Sequence, residues 1–285
     1  MFTIIGDFYR NFKMEVWVGS LIKYLEPFGY TDGAVRVTLS RMMRQGWLES
    51  KKVGQKSYYR LTAKGIRRLK HGTKRVYQPM SEHPWDGKWR LVLHSFPDQM
   101  RNVRERVRKE LQWMGFGYLG NNVWITPNNL YAEVMEMIEE YGIKGYIDFF
   151  TATYEGPQLS RDIVHKAWDL EEIAAKYEHF VASFQLKYEK LYRSFLEETL
   201  TEEMSFVERV LLVHEYRKFL FVDPNLPREL LPADWVGDEA ARLFKEMHRF
   251  LTPLAERYFY RHLDAVGIAP RENPEVSASE QTRQE

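Results

Sequence analysis

Apolar positions recur along the first 70 residues with two different periods. MFTIIGDFYR (1–10) predicts a short first helix. EVWVGSLIKYLEPF (15–28) predicts a second, with Val16, Leu21, Ile22 and Leu25 largely on one side and Pro27 and Gly29 as stop signals. Thr31 or Asp32 then offers a cap for a third helix that ends near Gly46. Two β-prone runs follow, Trp47 to Val53 and Ser57 to Leu61, around the turn Gly54-Gln55-Lys56. Thr62 caps a fourth helix through Leu69. Helix, helix, helix, hairpin, helix is the order of a winged helix-turn-helix.

The middle of the chain changes pattern. WRLVL (89–93) predicts a buried strand, followed by a helix over 100–114 and a strand over 123–126. A second helix covers 131–141, and 144–153 supplies further β material. With a short strand over 116–119 the order is βαββαβ, a ferredoxin-like arrangement. From about Gln158 the pattern is mostly helical, with long apolar periodicity over 168–196. Ser205 and Glu208 have capping-box spacing for a helix running to Phe221, which Asp223-Pro224 ends. A last helix is expected from about Gly237, kinked or interrupted at Pro253.

The expected architecture is thus α+β and multidomain. A winged helix-turn-helix domain spans 1–72, a linker 73–87, a ferredoxin-like domain 88–157, a helical C-terminal domain 158–269 and a flexible tail 270–285. The middle and C-terminal domains are the candidates for dimerisation, the latter also for effector binding.

The third helix carries the chemistry. On a wheel of about 100° per residue, Arg36, Ser40, Gly33, Arg44, Val37 and Arg41 fall in one arc of about 140°. Val35, Thr38, Leu39, Met42 and Met43 take the opposite side. One arc packs; the other holds every arginine of the segment. A guanidinium donates two parallel hydrogen bonds to phosphate, or to guanine O6 and N7. Small neighbours let the helix approach a groove floor, and Val37 suits a thymine methyl. Base contacts come mainly from the first half of such a helix. Arg36, Val37, Ser40 and Arg41 are therefore the candidates for base readout, and Arg44 for the backbone. Lys51, Lys52, Gln55, Lys56 and Tyr58 surround the hairpin turn, where a wing meets DNA. The bland alternative is a solvated basic face.

Charge strengthens the DNA reading. Residues 1–80 hold 16 Lys and Arg against 5 Asp and Glu, whereas the remainder holds 25 against 35, so a net charge of +1 conceals a basic domain on an acidic body. There is no cysteine, which excludes disulfides and thiolate zinc sites. No apolar run reaches membrane-spanning length and no secretory pattern is present, so no membrane association and a cytoplasmic location are expected.

Several long stretches resemble the PaaX-like repressors of phenylacetic acid degradation. They are EVWVGSLIKYLEPFG, AVRVTLSRMMRQGWLESKKVGQKSYYRLT, PWDGKWRLVL, LQWMGFGYLGNNVWITP and FLFVDPNLPRELLPADWVGDEAARLF, in order along almost the whole chain. The resemblance implies a dimeric bacterial transcription factor on double-stranded operator DNA, released by an aryl-CoA thioester, typically phenylacetyl-CoA. It also implies a middle domain similar to a small CRISPR-associated endonuclease, and a DNA-reading role for Arg36, Arg41 and the wing. The chain departs at His94-Ser95-Phe96-Pro97, where relatives often have an acidic residue; here Asp98 follows the proline.

Other chemistry is thin. Asp98 and Asp148 are the candidates for a metal-dependent nuclease, but they read better as surface carboxylates. His165 with Asp169, and His179 with Ser183, stand four apart without a third ligand. There is no phosphate-binding glycine loop and no nucleophile motif. For an acyl-CoA effector, Arg217, Lys218 and Arg228 offer cations and Trp235 an aromatic wall, with His214 nearby. The expectation is a homodimeric repressor without catalytic residues, metal or cofactor. The alternatives are the nuclease and a protein-interaction module with a basic face.

Overall fold

A threonine, a glycine and a second threonine set the first domain. In the computed structural model, which describes residues 1–9, 14–77 and 84–266, the Thr31 side chain accepts from the Ala34 amide at 3.3 Å. That cap opens helix α3 (Asp32–Arg44), after α1 (Phe2–Phe8), strand β1 (Glu15–Trp17) and α2 (Val18–Leu25). Val35, Leu39 and Met42 form its buried stripe. Gly46, at φ 72°, then donates to Met43 O at 2.9 Å, and Trp47 N donates to Met42 O at 2.9 Å. A residue with a Cβ is strained at that φ, so glycine makes the exit turn. Strands β2 (Leu48–Val53) and β3 (Lys56–Leu61) pair antiparallel from Leu48↔Leu61 to Val53↔Lys56. Thr62 Oγ1 accepts from Gly65 N at 3.1 Å to open α4 (Ala63–Tyr77), and donates to Gly46 O at 2.6 Å.

Two expectations change here. The predicted second helix is divided: residues 15–17 are the strand β1, paired with β3 at Val16↔Tyr59, and Glu26–Phe28 is a 3₁₀ turn. Helix α4 continues to Tyr77 through Gly72 and the first residues of the expected linker. Its amphipathic arginines and lysines suit a helix well enough to carry one glycine. Residues 78–83 of that linker lie outside the described residues, as does the expected tail 270–285.

The second unit, Leu69–Arg257, contains one sheet and a helical assembly. The elements are β4 (Trp89–His94), α5 (Arg101–Met114), β5 (Gly117–Gly120), β6 (Val123–Thr126), α6 (Tyr131–Tyr141) and β7 (Ile147–Ala152). The strand order is β5-β6-β4-β7 and every neighbouring pair is antiparallel. Alternation along the strands divides the sheet between two cores. Val92 and Trp124 pack with Val107 and Leu111 of α5 and Val134 and Ile138 of α6. Trp89 and Ile125 join the other core, with helices α7 (Ser160–Ala167), α8 (Leu170–Leu196), α9 (Glu202–Tyr216) and α10 (Val236–Arg261). Aromatic stacking holds that core: Tyr177 lies 3.8 Å from Phe219 and Tyr216 lies 4.1 Å from Phe244.

Three details of the helical region differ from expectation. The α9 cap is Thr201, which accepts from Met204 N at 3.1 Å, and Ser205 is buried inside the helix. Glu202 and Glu203 already place acid in the first turn, so the earlier threonine is the better start. The α-helix ends at Tyr216, and a 3₁₀ segment carries the chain to Phe221. Pro253 sits inside α10 without ending it.

The chain then returns to its beginning. The first unit is Met1–Arg68 together with residues 258–266 among those described. Phe259, in the last turn of α10, stacks on Phe8 at 5.0 Å and Tyr24 at 4.8 Å, and its carbonyl accepts from Tyr24 Oη at 2.9 Å. Strand β8 (Ala265–Val266) pairs antiparallel with β1 at Val16↔Ala265, completing the order β2-β3-β1-β8. Residues expected to close the C-terminal domain are thus part of the N-terminal unit.

Candidate nucleic-acid interface

Helix α3 is buried along one stripe and bare along the other. Arg36, Val37, Ser40, Arg41 and Arg44 are all exposed, Val37 to 67%. An apolar side chain that bare, beside three arginines and on the opposite face from fully buried Leu39, does not serve the core. Arg36 is paired within the helix. Its Nε donates to Asp32 Oδ1 at 2.5 Å, and a second nitrogen reaches Oδ2 at 3.4 Å. The Asp32 hydrogen bond, with its charge behind it, raises the Arg36 pKa above the ordinary value. Asp32 therefore orients Arg36 and competes with any anion that approaches it. The sequence suggested Asp32 only as a possible cap.

The hairpin places Lys51 and Lys52 on exposed β2, and Gln55 and Lys56 exposed at its turn. Lys56 is already engaged. Its Nζ lies 2.6 Å from Asp264 Oδ2 and 4.7 Å above the Trp17 ring. Tyr58 differs from its expected role: it is buried, and its hydroxyl donates to Asp264 Oδ1 at 3.2 Å. Tyr58 shares its face of β3 with exposed Lys56 and Arg60 and is buried where β1 pairs with the strand at Trp17↔Tyr58. It supports the hairpin and offers no surface to DNA. Lys56 holds the Asp264 carboxyl below its ordinary pKa, and Asp264 raises that of Lys56. Asp264 itself is placed by backbone bonds, its amide donating to Ser20 Oγ at 2.9 Å and its carbonyl accepting from Trp17 N at 2.8 Å. Nothing local in the sequence marked this residue, which lies 208 positions from Lys56.

The five effector candidates do not converge. Arg217 reaches His214 Nδ1 at 3.4 Å, and burial lowers the pKa of both, most directly through desolvation. Lys218 pairs with Glu215 at 2.6 Å. Arg228 is spent on its own loop, donating to Pro232 O at 2.6 Å and to Ala233 O. Trp235 is buried at the wall of a small cavity of about 60 Å³ beside Tyr177. Asp98 lies in a 3₁₀ turn and Asp148 on β7 opposite Leu93. Among the described residues no group of three His, Asp or Glu side chains is placed to hold a metal ion, and no helix is long and apolar enough to cross a membrane.

Comparison with known proteins covers nearly the whole chain. Residues 1–65 match the family described as PaaX-like protein, 82–164 the PaaX protein central Cas2-like domain, and 168–261 the PaaX-like protein C-terminal domain. Among curated proteins, the transcriptional repressor PaaX of Escherichia coli (strain K12) is 34% identical over 257 residues, covering 89% of this chain and 79% of that protein. Among solved structures, the uncharacterized protein Rv0674 from Mycobacterium tuberculosis aligns with a TM-score of 0.50 at 22% identity, over 90% of this chain and 96% of that one. The second likeness bears on fold alone.

Proposed function

This chain belongs to the PaaX-like family, and from that premise we propose that it is a DNA-binding transcriptional repressor of a phenylacetate-type catabolic operon. The observation that carries the reading is the outward arc of α3: exposed Arg36, Val37, Ser40, Arg41 and Arg44 backed by a buried stripe. Helices α2 and α3 with the β2–β3 hairpin serve as a winged helix-turn-helix, α3 entering the major groove and the hairpin meeting adjacent phosphates. Arg36, Val37, Ser40 and Arg41 read bases. Arg44, Lys51, Lys52, Gln55 and Lys56 hold the backbone, and Tyr58 is left out. The β5-β6-β4-β7 order with two helices on one face supports a ferredoxin-like middle domain. The protein binds a palindromic operator as a homodimer, with dimerisation in the middle or helical region.

An aryl-CoA thioester such as phenylacetyl-CoA releases the repressor by binding the DNA-incompetent arrangement better. Moving occupancy from 1:99 to 99:1 takes about 5.5 kcal/mol of such preference. The test is a gel shift with the protein's own promoter DNA. Arg36→Ala and Arg41→Ala should each weaken operator binding by about 1–3 kcal/mol and relax selectivity at one base position. Unchanged affinity and selectivity in both variants would sink the assignment of α3 as the reading helix.

A further inference from the structure

We propose that the second unit holds a ligand site in the groove between α8 and α9, and that its ligand is an organic anion with an apolar body. The groove encloses about 620 Å³, within the range that organic ligands occupy. Its floor is aromatic: Phe180 lies 4.6 Å from Phe184 and 5.9 Å from Phe219. Space above that floor exists because Ala175 and Ser183, one helical turn or so to either side of His179, are small. The cavity beside Trp235 has about a tenth of this volume, and the Tyr177 hydroxyl donating to Asp223 at 2.5 Å occupies its polar side.

The rim supplies the charge preference. Lys176, Lys187 and Lys218 line the groove against the carboxylates Glu172 and Glu215, a surplus of one positive charge. Lys176 rests on Glu172 and Lys218 on Glu215, each a local pair along the chain with both partners exposed. Such pairs contribute little in water, so an incoming anion takes these lysines without breaking a tertiary contact. Lys187 is different: it reaches Glu208 at 3.2 Å and ties α8 to α9. An uncharged apolar ligand would use the floor and leave the rim idle. An inorganic anion would use the rim and leave the floor wet. An anion with an aromatic or aliphatic body satisfies both.

Binding rests on the groove; the consequence, that occupancy releases DNA, rests on the repressor reading. Calorimetry on the full chain would use four probes: phenylacetyl-CoA, free coenzyme A, phenylacetate and decanoate. The thioester against coenzyme A tests the need for an apolar body, and the two free acids ask whether a carboxylate suffices. The expected result is saturable 1:1 binding of at least one probe with an apolar body. Ser183→Trp, which fills the groove from an exposed position, should weaken it at least tenfold, and Lys176→Glu with Lys218→Glu should do so without changing the melting temperature. Should Ser183→Trp fail to fold, Ala175→Leu takes its place. No saturation by any probe, or wild-type affinity in the filled and charge-reversed variants, overturns the proposal. Absence of a promoter shift by the ligand-free protein would instead overturn the repressor reading and leave the binding result standing. Release of DNA by a probe with equal potency in Ser183→Trp would place the effector elsewhere and overturn the groove as its site.

Discussion

Val37 and Leu39 are two residues apart on one helix and do opposite work. Leu39 is fully buried against the first domain's core, and Val37 is two-thirds exposed between arginines. Leu39→Ala removes buried methyls and leaves a cavity, so it should cost about 2–5 kcal/mol in a denaturation midpoint. Val37→Ala should leave stability within about 0.5 kcal/mol of wild type. If Val37 touches a thymine methyl, operator affinity should nonetheless fall, and a site with that thymine replaced by uracil should no longer distinguish the two proteins. A stability loss in Val37→Ala comparable to that in Leu39→Ala would show that the arc is not free. Both roles were legible in the helical wheel, because the 3.6-residue period alone separates the two arcs. The Asp32–Arg36 pair was not drawn from it, although the two stand four apart, since Asp32 also suited the cap.

At the scale of elements, what was legible follows from whether its cause is local. Helix α3, the hairpin and α5 carry their caps, turn residues and periodicity within a few positions. The strand β1 does not. Its three residues, Glu15, Val16 and Trp17, continue the apolar spacing of a helix, and only β3 and β8, from about 40 and nearly 250 positions away, make them a strand. The same distance hid Asp264 and, with it, the contacts that Tyr58 and Lys56 make with it. The β8 segment suggests a pH test. The Asp264 pKa is lowered, chiefly by the Lys56 hydrogen bond, so the pair's contribution is complete above the ordinary carboxyl value of 3.8 and lost as pH falls through the lowered one. The Lys56 pKa is raised above 10.5, so at the alkaline end the contribution is lost only beyond that value. Asp264→Asn should therefore melt below wild type by a constant margin from about pH 5 to pH 9, with the margin closing at both extremes. A margin that persists unchanged at pH 2.5 would mean that the carboxylate charge plays no part.

At the scale of the whole molecule, charge is segregated, with a surplus of basic residues before position 80 and of acidic residues after it. That arrangement lets one end neutralise phosphates while the rest is repelled, so it predicts both orientation on DNA and a steep dependence on salt. The wing and the stoichiometry can be read from that dependence together. Lys51 and Lys52 are exposed on β2, outside α3. Each phosphate contact contributes about 0.9 to the slope of log K against log salt on duplex DNA. Replacing both lysines with alanine should therefore reduce the slope by about 1.8 for each chain on the operator, and by about 3.6 if two chains bind. It should do so equally for operator and unrelated DNA, since phosphates carry no sequence. A reduction near 1.8 would mean that a single chain occupies the site, against the homodimer. An unchanged slope would remove the hairpin from the DNA altogether, leaving α3 to bind without a wing.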